Sequence, residues 1–152
     1  YYINVEKAET RAKKIKGHLE GLNRIVSFVS PIHIATEGGF TEILEILFDN
    51  GANEDVNVVY VGETPLGVAA RCGSTACIPL LFEQGADLNR VMQEDLTPLY
   101  LAVYHRESDA AKMLLELGAH PDGSSNGHVR LPLYAAVQNS DKNSVELLLD
   151  YE

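Results

Sequence analysis

The chain has 152 residues, enough for one domain or a short repeat array. Apolar residues make up 45%, with 12 Gly and 6 Pro, which excludes wholesale disorder and collagen-like or low-complexity character. The net charge of −10 is uneven: residues 1–29 hold six of the twelve Lys/Arg and three acids, while 30–152 hold nineteen of the 22 acids and repel a phosphate backbone, so nucleic acid is not expected as the main partner.

No apolar window approaches 18 residues, so no membrane-spanning helix and no membrane insertion are expected. The basic N-terminus lacks a following apolar stretch, so it does not read as a secretory signal. Cys72 and Cys77 are too few for a disulfide framework and read as reduced thiols of a cytoplasmic or nuclear protein. The chain starts at Tyr1 and stops in mid-pattern at Tyr151-Glu152, as a piece of something longer would.

Residues 1–29 carry Val5, Ala8, Ala12, Ile15, Leu19, Leu22, Val26 and Val29 at alternating spacings of 3 and 4. That is a heptad seam. Gly17 and Gly21 interrupt it, each costing about 1 kcal/mol in a helix interior. Under either reading of this segment, 4–16 is expected to be helical.

From residue 30 onward the chain repeats. Ser30-Pro31-Ile32-His33, Thr64-Pro65-Leu66-Gly67, Thr97-Pro98-Leu99-Tyr100 and Leu131-Pro132-Leu133-Tyr134 place prolines 34, 33 and 34 apart. Gly51-Ala52, Gly85-Ala86 and Gly118-Ala119 keep the same beat. Apolar runs lie between the two marks: 43–47, 78–81, 113–115 and 145–149.

Each unit has a local physical reading. Ser or Thr before Pro caps a helix, and Pro takes its first position, where no N–H is needed. A short Ala-rich helix follows, ended by a left-handed residue: Gly39, Gly73, Arg106 or Ser140. A non-Gly residue there costs on the order of 1 kcal/mol. The second helix carries the Leu/Ile/Val stripe, and a Gly ends it. Ser74 or Thr75 is expected to cap the second helix of the second unit, with Pro79 close behind the cap and able to kink the helix. At the C-terminal end, Leu147, Leu148 and Leu149 are expected to lie at an open face.

This pattern resembles the ankyrin repeat. The resemblance implies an all-α solenoid of stacked helix-loop-helix units with β-hairpin-like finger loops. The divisions are 1–29, 30–63, 64–96, 97–130 and a truncated 131–152. Residues 1–29 are favoured as a basic helix plus loop forming a degenerate capping repeat, since Gly17 lies fourteen before Pro31 as Gly51 does before Pro65. The heptad helix remains the alternative.

No catalytic constellation appears: five scattered histidines, no HExxH, no paired CxxC and no phosphate loop. Metal sites, cofactors and a small-molecule substrate are not expected. His33 is expected to bond to neighbouring backbone or to Ser30, and Tyr100 and Tyr134 to pack between helices.

The resemblance implies a non-catalytic protein-binding module, an adaptor or scaffold segment. The family's variable contact positions lie five, four and two before the Pro, and six and seven after it. They give Val26, Ser27, Val29 and Glu37; then Tyr60, Val61, Glu63, Arg71 and Cys72; then Gln93, Glu94, Leu96, Tyr104 and His105; then His128, Arg130, Gln138 and Asn139. The favoured partner-binding set is Tyr60, Val61, Glu63, Arg71, Gln93, Glu94, Leu96, Tyr104, His105, His128, Arg130 and Gln138. Val58-Val59-Tyr60-Val61 is an apolar run that either packs as a small sheet or meets the partner. Acidic fingers suggest a protein partner with a basic patch.

Two alternatives stay open. One is a regulatory segment of a larger enzyme or ion channel. The other is substrate recognition for a ubiquitin ligase, because Cys77 in Thr75-Ala76-Cys77-Ile78 resembles ankyrin proteins that carry a SOCS box.

Overall fold

The computed structural model describes residues 30–123 and 130–151. The expectations for 1–29 and for His128 fall outside the described residues. Among the described residues eight α-helices form four pairs: α1 Pro31–Glu37 with α2 Thr41–Asp49, α3 Pro65–Cys72 with α4 Cys77–Glu83, α5 Pro98–Tyr104 with α6 Ser108–Glu116, and α7 Pro132–Gln138 with α8 Lys142–Asp150. First helices pack on first helices (α1 on α3, α3 on α5, α5 on α7) and second helices on second (α2 on α4, α4 on α6, α6 on α8). The described residues hold no β-strand, so the fold is an all-α repeat solenoid.

The local signals act as expected at the backbone. All four prolines are the first residues of their helices. Gly39, Gly73, Arg106 and Ser140 take positive φ of 68°, 67°, 62° and 52° after the first helices. Gly51, Gly85 and Gly118 do the same after the second.

Capping differs from the expectation. Thr64 and Thr97 accept from Gly67 N–H at 3.1 Å and Tyr100 N–H at 3.2 Å. Ser30 makes no such bond, and its buried hydroxyl has no partner among the described residues. Neither Ser74 nor Thr75 caps α4, whose first flanking residue is Ala76. The cause is Pro79, which lacks the N–H that would reach Thr75 O. The preceding residues close by shorter bonds instead, Cys77 N–H to Ser74 O and Ile78 N–H to Thr75 O. The helix starts late, with Pro79 in its first turn, where it is tolerated.

The core is a continuous seam along the stack. Ile32, Leu44, Leu66, Ile78, Leu81, Leu99, Leu114 and Leu148 are fully buried. Each contributes about 2 kcal/mol by leaving water. Leu148 is therefore core, against the expectation of an open face; only Leu149 of that triplet is largely exposed. Gly67 replaces the histidine of the first repeat because Met92 fills the space: an added Cβ would lie 2.6 Å from Met92 Sδ.

The fingers are joined across repeats by single hydrogen bonds rather than a sheet. Asn57 bonds to Gly85 and Asp87, and Asn89 Oδ1 accepts from His120 N–H at 2.8 Å. Gln93 N–H donates to Gly62 O at 3.3 Å and Arg130 N–H to Asp95 O at 3.1 Å.

Candidate functional site

The first finger (52–63) ends in a two-residue hairpin. Tyr60 and Glu63 exchange both backbone bonds, at 2.8 and 3.1 Å. The loop residues Val61 and Gly62 both have positive φ, 51° and 89°. That is a type I′ turn, which favours Asn-Gly. A β-branched residue at positive φ is strained. This isolated bridge is the only β pairing among the described residues, so the small sheet offered as one reading of 58–61 does not form.

The hairpin carries Glu63 to the last turn of α3. Arg71 Nε donates to both Glu63 carboxylate oxygens, at 3.0 and 2.9 Å. Glu37 Oε1 stands 3.8 Å from the same guanidinium. A cation here also complements the negative end of the helix.

His33 on α1 reaches the same finger. Its Nε2 lies 3.0 Å from Glu63 O, which only accepts, so Nε2 carries the proton. The expected bond is therefore to backbone, at the finger end of the same 30–63 unit rather than to Ser30. The ring meets Tyr60 edge-on at 5.7 Å. Its Nδ1 is buried without a partner among the described residues. Burial pushes His33 below the usual histidine range, against the opposing pull of the Glu63 carbonyl and the Glu63 and Asp55 charges. The ring is neutral at physiological pH.

These groups line one depression: His33, Ile34, Glu37, Tyr60, Val61, Glu63, Val68 and Arg71. A second depression lies two repeats along, lined by Tyr100, Tyr104, Arg130, Leu131, Tyr134 and Gln138. Tyr104 stacks on buried Tyr100 at 5.8 Å. Arg130 pairs with Glu94 at 3.4 Å.

The structure brings Tyr60, Val61, Glu63 and Arg71 together, and separately Tyr104, Arg130 and Gln138. Glu94 joins the second group through Arg130. Gln93 is exposed and leans on Gly62. His105 is exposed beside Tyr104. Leu96 is half-buried and packs on the core, which removes much of its side chain from the surface. Asn139 Nδ2 donates to Tyr104 O at 2.8 Å, so its amide ties two repeats.

Six lining residues escaped the sequence reading as contacts: His33, Ile34, Val68, Tyr100, Leu131 and Tyr134. His33 and Ile34 lie about one helical turn before Glu37, and Leu131 directly follows Arg130. Tyr134, expected to pack between helices as Tyr100 does, is 65% exposed. Among the described residues no group of three His, Cys, Asp or Glu could hold a metal. Cys72 and Cys77 are free thiols, both pushed up by burial. No described helix is long and apolar enough to cross a membrane.

A family model for ankyrin repeats (3 copies) matches residues 13–92 and 32–125. Human ankyrin repeat and SOCS box protein 11 is 33% identical over 126 residues, 83% of this chain and 28% of that protein. The mouse protein of that name is 31% identical over the same extent. An ankyrin repeat protein of fowlpox virus (strain NVSL) is 30% identical over 140 residues, 91% of this chain and 24% of that protein. The chain thus spans about a quarter of the length of these curated relatives. Phased prolines and glycines, helices stacked in two layers and these matches all agree, and the chain belongs to the ankyrin repeat family.

Proposed function

We propose that the array is a non-catalytic protein-binding module whose face of fingers and first helices receives a protein partner. One observation carries the reading. Seven of the residues named from sequence as partner contacts line just two depressions, both built from that face. Their types suit the role, since Tyr and Arg are enriched among residues that dominate binding energy. The acidic body favours a partner with a basic patch.

The test is affinity capture from lysate, with the double variant Tyr60→Ala/Tyr104→Ala run beside the parent. The variant must first melt like the parent. A partner captured by the parent and lost from the variant supports the module. A partner retained by the variant moves the site off this face. No partner at all favours a segment that docks on its own longer chain.

A narrower reading is substrate recognition for a ubiquitin ligase. The relatives named for a SOCS box favour it. The natural open reading frame tests it: a SOCS box downstream, and cullin-type ligase subunits captured by the longer protein, support it. A frame without that box removes it.

A further inference from the structure

We infer that the depression between the first finger and helices α1 and α3 takes a partner segment in which a lysine or arginine stands beside a bulky apolar residue. The inference rests on the protein-binding reading above and names the chemistry of its occupant.

Val61 supplies the first observation. It occupies a turn position where Asn, Asp or Gly sits without strain. Its φ is 51°, yet its side chain gains little from the fold, because the residue is 83% exposed. A locally unfavourable residue with no compensating burial points to a role outside the fold. Its isopropyl group lines the depression with Ile34, itself 52% exposed, and half-buried Tyr60. Together they form an apolar seat open to solvent.

Charge supplies the second observation. Among the described residues Arg71 is the one Lys or Arg lining the depression, and its Nε already serves both oxygens of Glu63. Glu37 has only the 3.8 Å contact to Arg71 among the described residues, and its side chain is 62% exposed. The finger from 52 to 63 holds Glu54, Asp55 and Glu63 and no Lys or Arg. An acidic occupant would have to pull Glu63 from Arg71. A basic occupant meets Glu37 directly and leaves that pair intact. A wholly apolar occupant would use the seat and waste the charge; a wholly basic one would do the reverse.

The test selects random twelve-residue peptides by phage display on the whole 152-residue chain. The consensus peptide is then synthesised with a fluorescein label and its polarisation measured on the parent, Val61→Asn and Glu37→Lys. The expected consensus pairs Lys or Arg with Leu, Ile, Val, Phe, Tyr or Trp. Each variant is expected to weaken binding about tenfold, and raising salt from about 50 to about 300 mM weakens it on the parent. Val61→Asn is expected to melt at or above the parent temperature, so its loss of binding does not report unfolding. An acidic or purely apolar consensus, equal binding by both variants, or no enrichment overturns the inference. If the capture experiment still yields a partner lost from Tyr60→Ala/Tyr104→Ala, the module stands and only the occupant's chemistry falls. If neither experiment yields a ligand, both readings fall.

Discussion

The Asn57 side chain holds Asp87 across a repeat boundary: its Oδ1 accepts from the Asp87 backbone N–H at 2.8 Å. The same amide donates from Nδ2 to Gly85 O, also at 2.8 Å. One side chain therefore satisfies a donor and an acceptor in the loop of the next repeat. In a stacked array stability resides largely in such neighbour interfaces. Asn57→Ala is expected to cost about 1–2 kcal/mol. Urea denaturation checks it, and an unchanged midpoint would show that water replaces both bonds.

Ser140 and Arg106 occupy left-handed positions where the first two repeats use Gly39 and Gly73. Ser140→Gly is expected to stabilise by about 1 kcal/mol through relief of strain. Arg106→Gly is expected to gain less, because the Arg106 guanidinium donates to Asn139 O and that bond goes with it. Thermal melts of the two single variants test the order. Arg106→Gly stabilising more than Ser140→Gly would contradict it.

Thr36 is fully buried in α1, and its hydroxyl has no partner among the described residues. An unsatisfied buried polar group costs about 1–3 kcal/mol. Thr36→Val keeps the shape and removes the orphan. It is expected to raise the denaturation midpoint; a lower midpoint would mean that the hydroxyl is bonded in solution.

His33 is buried neutral, with Nε2 donating to Glu63 O and Nδ1 unpartnered among the described residues. Its folded pKa lies below the ordinary histidine value of 6.5, chiefly through burial. The unfolded chain therefore binds a proton before the folded one does. The stability held by neutral His33 is complete above 6.5 and declines as pH falls from there toward the lowered folded value. The melting temperature is expected to drop on acidification through this window. His33→Gln, which keeps a donor toward Glu63 O, is expected to drop less. Parallel pH profiles of parent and variant would expose the error.

Asp141 shows the opposite sign. Its carboxylate accepts from Ser144 N–H at 3.3 Å and Ser144 Oγ at 2.7 Å, capping α8. The Ser144 hydroxyl bond, with smaller opposition from burial, holds the carboxyl below its usual range. The cap's pH-dependent contribution is present above the ordinary aspartate pKa and is lost as pH falls through the lowered one. Asp141→Ala is expected to cost about 1 kcal/mol at neutral pH. Denaturation at neutral pH measures it, and no change would mean the terminal helix frays before the rest of the array unfolds.

Much of the scaffold was legible in the residues because its signals are local. Proline fixes its own φ and lacks an N–H, so Pro31, Pro65, Pro98 and Pro132 mark helix starts wherever the chain goes. Positive φ at Gly51, Gly85 and Gly118 is likewise a property of one backbone position. The candidate face was only partly legible. Tyr60, Val61, Glu63 and Arg71 follow from their distance to Pro65, but His33 and Ile34 join them only because α1 stacks on α3. Ser30 and Thr64 look alike in sequence, yet only Thr64 caps its helix.

The sequence alone therefore determined the family, the beat of the repeat and the register of most helices, since those rest on backbone constraints that act within a few residues. Only the tertiary structure decided that Asn57 holds Asp87 and His33 donates to Glu63, each across 30 residues. It also decided that Arg71 spends its charge on Glu63 while Glu37 stays open to solvent. Those outcomes depend on which side chains meet when repeats stack, and local propensity carries no record of that meeting.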